Sequence, residues 1–157
     1  MMTESLADAL EREHREIDRG IEAFLAAQAH GRSDIEPLTR AMTALRRHIF
    51  LEEEFLFPPL RDAGMVAPIF VMLREHGEIW DTMDAIESRL ATHADETSVP
   101  ESCQELLARL QQHNAKEEPI IYPQADTTLS AEARERFRAF LAPGQFPEGW
   151  TCARATA

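Results

Sequence analysis

Apolar residues recur every three or four positions along most of the chain, which is the spacing of one face of an α-helix. Four long segments carry this pattern, and capping or turn residues such as Gly31, Ser33-Asp34 and Pro100 bound them. Their apolar positions are Leu10, Ile17, Ile21 and Phe24; Leu38, Leu45 and Phe55; Ile69, Met72, Ile79, Met83, Ile86 and Leu90; and Cys103, Leu106, Leu110 and Ile120.

The short links between these segments predict an all-α fold, an antiparallel up-down-up-down four-helix bundle. We expect the bundle to occupy residues 1–125. A short fifth helix, predicted from Ser130 to Leu141, and an irregular tail rich in Pro and Gly make up residues 126–157. This last part is expected to pack on the bundle or to extend from it.

Two short motifs each occur twice, in the order first, second, first, second. The first is Glu13-His14, repeated as Glu75-His76. The second is His48-x-x-x-Glu52-Glu53, repeated as His113-x-x-x-Glu117-Glu118. The offsets nearly agree, since 76 − 14 = 62 and 113 − 48 = 65. This order and spacing indicate a duplicated helical hairpin whose two copies face each other.

The positions of the histidines relative to the predicted turns place them at one level. In an antiparallel hairpin, two residues equidistant from the turn lie at the same height. The midpoints between successive histidines fall at Gly31, at Asp62 and between Ala94 and Asp95, all in predicted turns. Because residues four apart share a helix face, a glutamate joins each His-x-x-x-Glu histidine. The expected layer contains His14, His48, His76, His113, Glu52 and Glu117.

Such a layer would place two glutamates in an apolar core. A buried, ionised carboxylate costs several kcal/mol unless it is paired or coordinated. Two divalent cations, bridged by the carboxylates and capped by imidazoles, would remove that cost. Mixed His and carboxylate ligation suits iron or manganese and allows zinc, while the lack of thiolate disfavours copper(I) and structural zinc. The alternative is a buried polar network without a metal.

The chain resembles hemerythrin-like proteins of the HHE cation-binding family from about Leu6 to Pro123. The resemblance rests on the four motifs in order, together with Leu56-Phe57-Pro58 and Tyr122-Pro123. It implies a non-haem centre of two iron ions joined by an oxo or hydroxo bridge, for which manganese or zinc could substitute. By this resemblance the metal ligands are His14 and His48 for one iron, His76 and His113 for the other, and Glu52 and Glu117 as bridges.

One position departs from the family pattern. Oxygen-carrying hemerythrins have a further histidine four residues after the one in the third helix, and here that position is Trp80. The two irons would then be nearly equivalent, with room for a small exogenous ligand. This argues against reversible oxygen carriage and favours reactions that need open positions.

Three functional classes share this site. The first is a binding or sensing protein for O2, NO or a related small ligand. The second is a di-iron enzyme, a peroxidase, catalase-like protein or ferroxidase acting on peroxide, O2 or Fe(II). The third is an iron-homeostasis module whose metal occupancy stabilises the fold.

Four polar residues near the motifs have two interpretations each. Glu53 and Glu118 lie away from the histidine face of their own helices, so they are expected to be surface groups or supports for ligands. Asp18 is expected to be exposed, with a hydrogen bond to a ligand imidazole as the alternative. Tyr122 is expected to pack at a helix end, with a role as hydrogen-bond donor at the site as the alternative.

Composition limits the partners and the compartment. The 157 residues suit one domain, and their net charge of −12 disfavours nucleic acid and anionic membrane surfaces as partners. No apolar run is long enough to span a bilayer, and the polar, acidic start of the sequence shows no signal peptide, so we expect a cytoplasmic protein. Cys103 and Cys152 are too few for a disulfide framework.

Overall fold

The structure, a computed structural model, describes residues 4–92, 98–141 and 146–156, and all regular secondary structure in these ranges is helical. A π-helical turn, Glu52–Leu56, joins the second helix to the third. The α-helices are α1 Leu6–Ala29, α2 Glu36–Leu51, α3 Phe57–Asp62, α4 Val66–Thr92, α5 Ser98–Ile120, α6 Tyr122–Thr128 and α7 Ala131–Leu141. The predicted all-α bundle is confirmed: α1 packs against α2 and α5, and α4 packs against α5.

The ends of the helices follow from local chemistry. Ser5 caps α1 by accepting a hydrogen bond from the Asp8 backbone N–H at 3.0 Å. Gly31 follows α1 and Gly64 follows α3, with φ of +73° and +110°. Glycine adopts this backbone conformation without steric cost. The first turn predicted from the histidine spacing therefore lies where expected, whereas the second follows the predicted Asp62, which is the last residue of α3. The third, at residues 94 and 95, falls outside the described residues.

Two apolar clusters fill the bundle, one on each side of a polar layer. The upper cluster, as we name it, includes Ile17, Leu45, Ile79 and Leu110. The lower cluster includes Leu10, Leu56, Phe57, Met72 and Tyr122. The histidines and glutamates of the repeated motifs lie between the two clusters, so apolar side chains shield them from water above and below.

The π-helical turn differs from the sequence-based expectation of an uninterrupted α-helix after Ser33. The Phe57 backbone N–H bonds to the carbonyl of Glu52, five residues back, instead of the usual four. Pro58 and Pro59 follow at once and have no N–H to donate, which weakens the regular α-helical bonding here. In the second hairpin the helix breaks at the equivalent place, at Ile121, just before Pro123. The side chains that follow each irregularity are thereby rotated about the helix axis.

The C-terminal residues pack on the bundle. Phe137 of α7 is buried in the lower cluster, and Arg138 donates to the Glu4 carbonyl at 2.7 Å. Residues 146–156 run along α4, where the absence of a side chain at Gly77 lets the Arg154 backbone approach; a Cβ at Gly77 would lie 2.5 Å from the Arg154 carbonyl oxygen. Across the described residues no helix is both long and apolar enough to cross a membrane.

Candidate metal centre

The structure brings the six side chains of the expected layer together at the middle of the bundle. All six are buried, and the carboxylates of Glu52 and Glu117 are fully enclosed. Two overlapping groups of four converge within 4.8 Å, and both contain the two glutamates. We call the group that adds His14 and His48 the first donor group. The group that adds His76 and His113 is the second donor group.

The first donor group forms where α1, α2 and α5 meet. The Nε2 atom of His14 lies 3.2 Å from Glu117 Oε1, and His48 Nε2 lies 3.3 Å from Glu52 Oε2. The imidazole rings of the two histidines are 4.7 Å apart. Each imidazole therefore turns Nε2 towards a carboxylate at the centre.

The second donor group repeats this arrangement in the other hairpin. His76 Nε2 lies 3.1 Å from Glu52 Oε1, and His113 Nε2 lies 3.3 Å from Glu117 Oε1. Glu52 thus offers one oxygen to each donor group, while Glu117 Oε1 faces a histidine of both. Both glutamates therefore face histidines of both donor groups.

Several of these donor atoms have no hydrogen-bond partner among the residues that the structure describes. They are Glu52 Oε1, Glu117 Oε2 and His113 Nε2, although imidazole and carboxylate atoms lie within about 3.3 Å of one another. The atoms lie close together, but they are not aligned for hydrogen bonds with one another. Leaving buried polar groups unpaired costs about 1–3 kcal/mol each. A cation at the point of convergence would bind all of them, so the residues present fit a metal site.

Four further glutamates hold the histidines from outside. Each imidazole has a carboxylate oxygen 2.7–2.9 Å from its Nδ1 atom. Glutamates of the first three long helices each reach the histidine of the next helix, and a glutamate of α5 reaches back to α1, which closes a ring. The pairs are Glu13 with His48, Glu53 with His76, Glu75 with His113 and Glu118 with His14.

The ring determines which imidazole nitrogen faces the centre. An ionised carboxylate only accepts hydrogen bonds, so each Nδ1 must carry a proton and donate it. Nε2 is then free to point its lone pair at a cation, and the ring orientation is fixed. Of the two expectations for Glu53 and Glu118, the structure supports the second: both contact a histidine of a neighbouring helix rather than their own. The repeated Glu-Glu pair was the signal in the sequence.

The charges of the site depend strongly on one another. Burial alone would lower the pKa of His113, but the Glu117 and Glu75 carboxylates outweigh burial and raise it to about 10. Burial would also lower the pKa values of His48 and His76. Nearby carboxylates outweigh burial, so both pKa values are raised. The His113 hydrogen bond lowers the pKa of Glu75 to about 2. Protons on the imidazoles thus offset the buried carboxylate charge, and a metal ion would compete with them.

Comparison with known proteins agrees with the geometry. A family model described as "Hemerythrin HHE cation binding domain" matches residues 5–125. The chain belongs to this hemerythrin family. No curated protein and no solved structure matches the chain. The family and the two buried donor groups together indicate a hemerythrin-like protein that binds a metal cation.

In this hemerythrin-like protein, the Tyr122 hydroxyl reaches the layer of histidines and glutamates. Its hydroxyl is fully buried, 2.8 Å from His14 Nε2 and 3.0 Å from His48 Nε2. The same oxygen is 2.6 Å from Glu52 Oε2 and 2.9 Å from Glu117 Oε1. Burial and the two carboxylates raise the pKa of the Tyr122 phenol well above its usual value. The expectation of simple packing for Tyr122 was therefore wrong.

A small cavity opens on the opposite side of the layer, towards the upper cluster. Its volume is about 10 Å³, close to the space that one water molecule needs. All four histidines of the layer line it. Asp18 and Asn114 also line it, and each has a buried side-chain oxygen without a hydrogen-bond partner in the described part of the chain. Asp18 is thus partly buried and not fully exposed, its Oδ1 makes no hydrogen bond to an imidazole of the described residues, and burial raises its pKa.

Trp80 occupies the position at which oxygen-carrying hemerythrins have a further histidine. Its indole is buried and meets Trp150 of the C-terminal segment edge-on, with ring centroids 5.6 Å apart. The Arg46 guanidinium lies over the Trp80 ring at 5.1 Å. The Trp80 side chain thus packs α4 against the C-terminal segment, and it adds no donor atom to the layer.

Proposed function

We propose that this hemerythrin-like protein holds two iron ions and uses them to bind or react with small oxygen or nitrogen species, O2, H2O2 or NO. The observation that carries the proposal is the pairing of two donor groups with a cavity of about 10 Å³ that touches all four histidines. Imidazole and carboxylate donors without thiolate suit iron. A cavity of this size admits molecules of a few atoms and has no space for an organic substrate.

The residues divide the work of the centre as follows. The four imidazoles would bind through Nε2, and the Glu52 and Glu117 carboxylates would bridge the two positions. The ring of outer glutamates fixes the imidazoles before any ion arrives, which reduces the reorganisation needed on binding. Apolar side chains of the upper cluster line the cavity beside the histidines. Bound iron would supply the capacity to exchange electrons with the small ligand.

An enzymatic role, the reduction of peroxide, has one observation in its favour. Asp18 lines the cavity, has a buried oxygen without a partner in the described residues, and has a raised pKa because of burial. A raised pKa favours the protonated carboxyl, the form that can donate a proton to an oxygen atom that gains electrons. We expect Asp18→Asn to slow peroxide turnover while metal content is unchanged, which a steady-state peroxide assay would measure.

The first experiment measures metal content per chain on protein purified without oxygen and without an affinity tag. Two irons per chain support the proposal. Protein that folds fully yet takes up no iron, even when Fe(II) is supplied, would contradict it. His113→Ala should lower the content and the thermal stability, because it removes one ligand from the second donor group.

A second experiment separates binding from catalysis. Reduced, iron-loaded protein is mixed with O2 or with H2O2 in a stopped-flow spectrometer. A stable adduct that disappears when the gas is removed indicates a carrier or sensor. Many turnovers of peroxide indicate an enzyme, and a single slow oxidation indicates iron handling. A spectrum that none of the small ligands alters would contradict a functional role of the cavity.

A further inference from the structure

The two hairpins are nearly equivalent, but they differ at one position next to the centre. Nine residues after the second-motif histidine, the first hairpin has Phe57 and the second has Tyr122, since 57 − 48 = 9 and 122 − 113 = 9. The Phe57 ring stacks on His76 with centroids 5.3 Å apart. The Tyr122 ring lies at the same centroid distance from His14, but it adds a hydroxyl group. The sequence-based expectation of two equivalent irons does not account for this difference.

The surroundings of the Tyr122 hydroxyl exceed what hydrogen bonding can satisfy. Four buried donor or acceptor atoms lie 2.6–3.0 Å from its oxygen. A hydroxyl has one proton to donate and two lone pairs, so it can serve at most three partners. All four atoms belong to the first donor group. The oxygen therefore lies among the donors of a single metal position.

The distances match those between neighbouring ligands of one ion. Metal–nitrogen and metal–oxygen bonds of about 2.0–2.1 Å at right angles leave neighbouring donor atoms about 2.9 Å apart. The four distances from the Tyr122 oxygen scatter around that value. Phe57 has no donor atom, so the second donor group has no counterpart of this oxygen.

We propose that the Tyr122 oxygen is a fifth protein ligand of the ion held by His14 and His48, and that the small exogenous ligand therefore binds on the side of His76 and His113. This inference rests on the two-metal centre proposed above. On binding, the phenol O–H bond breaks, its electron pair is donated to the ion, and the proton is released to solvent. No electron is transferred in this step.

This assignment has consequences for how the two ions share the chemistry. Five protein donors surround the first position, whereas two imidazoles and the two bridging carboxylates surround the second. An anionic phenolate oxygen is a hard ligand, so it favours the more highly charged ferric state of the ion it binds. The two ions would then differ in reduction potential, and the second position would be the one with room for O2, peroxide or NO.

The experiment uses the full-length protein loaded with iron and oxidised to the ferric state. Tyr122 is the only tyrosine among the 157 residues, so any tyrosinate signal can be assigned without ambiguity. After metal content has been measured, resonance Raman spectra are excited within the visible absorption band. We expect phenolate ring vibrations, which shift when the protein is grown with ring-deuterated tyrosine. Loss of the phenolate vibrations, compared per bound iron, is expected in Tyr122→Phe.

Phe57→Tyr is the matched variant, because it adds a phenol at the equivalent place in the other hairpin. We expect it to strengthen the tyrosinate vibrations and to weaken binding of azide, used as the small anionic probe. Wild-type protein that contains two irons per chain but shows no tyrosinate vibrations would overturn the assignment of Tyr122 and leave the two-metal centre standing. Unaltered azide affinity in Phe57→Tyr would overturn the placement of the open position. Protein without iron would overturn both proposals.

Discussion

Glu118 offers the clearest test of the glutamate ring. Its carboxylate lies 2.8 Å from His14 Nδ1, and the structure shows no other hydrogen bond for it among the described residues. The other three glutamates of the ring have additional partners: the Arg47 guanidinium, the Ala153 backbone N–H and the Lys116 ammonium. Removing Glu118 therefore changes the support of one imidazole and little else.

The expected magnitude follows from the strength of this hydrogen bond. Removing a carboxylate that supports a metal-binding histidine typically lowers metal affinity 10–100-fold. The Glu118 side chain is 37% exposed, so solvent weakens the interaction, and we expect the lower end of this range for Glu118→Ala. That is about tenfold, or about 1.4 kcal/mol. Glu118→Gln keeps a hydrogen-bond acceptor but loses the charge. The loss of metal-binding free energy should be roughly half that of Glu118→Ala.

The assay is an anaerobic titration with Fe(II) or Mn(II) in competition with a chromophoric chelator. Glu135→Gln, which changes an exposed glutamate of α7, is the matched control and should retain wild-type affinity. The double variant with His14→Ala is decisive, because Glu118 should no longer matter once its partner has gone. If Glu118→Ala had the same effect with and without His14, or no effect at all, the reasoning would be refuted.

Three further outcomes follow from the packing and the charges. In Gly77→Ala the new Cβ collides with the C-terminal segment. Cys152 is buried in the wild-type protein, and we expect it to react faster with a thiol reagent in this variant. Trp80→His loses much of the indole packing, and its free energy of unfolding in urea should fall by about 2–4 kcal/mol. The pKa of His113 in the folded, metal-free protein, about 10, lies above its ordinary value of 6.5, so its contribution to stability is complete below about pH 6.5 and is lost as the pH rises towards 10. The pKa of Glu75 is about 2, against an ordinary value of 4.5. Its contribution to stability is therefore complete above about pH 4.5 and is lost as the pH falls towards 2. Urea unfolding of metal-free protein should show greatest stability between about pH 4.5 and 6.5.

Each of these outcomes has an internal reference. Cys103, buried in the upper cluster, should stay unreactive in Gly77→Ala, and equal labelling of both thiols would mean general unfolding instead of displacement of the C-terminal segment. An unchanged unfolding midpoint in Trp80→His would show that the indole contributes nothing. For the pH profile, the decline at alkaline pH should be smaller in metal-free His113→Ala than in the wild-type protein, and the remainder should come from His48 and His76, whose pKa values are also raised.

The sequence predicted the helices and the histidine layer because both depend on periodicity and on the positions of turns. It did not predict how Glu53 and Tyr122 are oriented. Each follows a layer histidine or glutamate by five residues, and in a regular α-helix that separation corresponds to a rotation of about 140° around the axis. Glu118 also follows a histidine by five residues and reaches a neighbouring imidazole from the regular helix α5, so the contact of Glu53 depends on how the helices pack. The break at Ile121 changes the rotation of Tyr122. It depends on neighbouring helices and on prolines, so spacing alone could not reveal it.

The pairing of Glu118 with His14 also required the structure. It joins the beginning of the bundle to its last long helix, 104 positions apart in the sequence. Which helices are neighbours, and how each is rotated, decide such contacts. The repeated Glu-Glu pair indicated that these carboxylates have a role, but not which imidazole each one supports.

The ring of glutamates has a consequence for the order of events when the protein is made. Glu13 supports His48 within the first hairpin, whereas His14 depends on Glu118 from the second hairpin. A growing chain that has folded only its first hairpin can therefore orient only one of its two imidazoles. We expect ion uptake to follow the docking of both hairpins, and ion release to require that they separate again. The lifetime of the loaded state would then be set by the rate at which the bundle opens, so a cell would adjust the amount of bound metal mainly by synthesis and degradation of the protein.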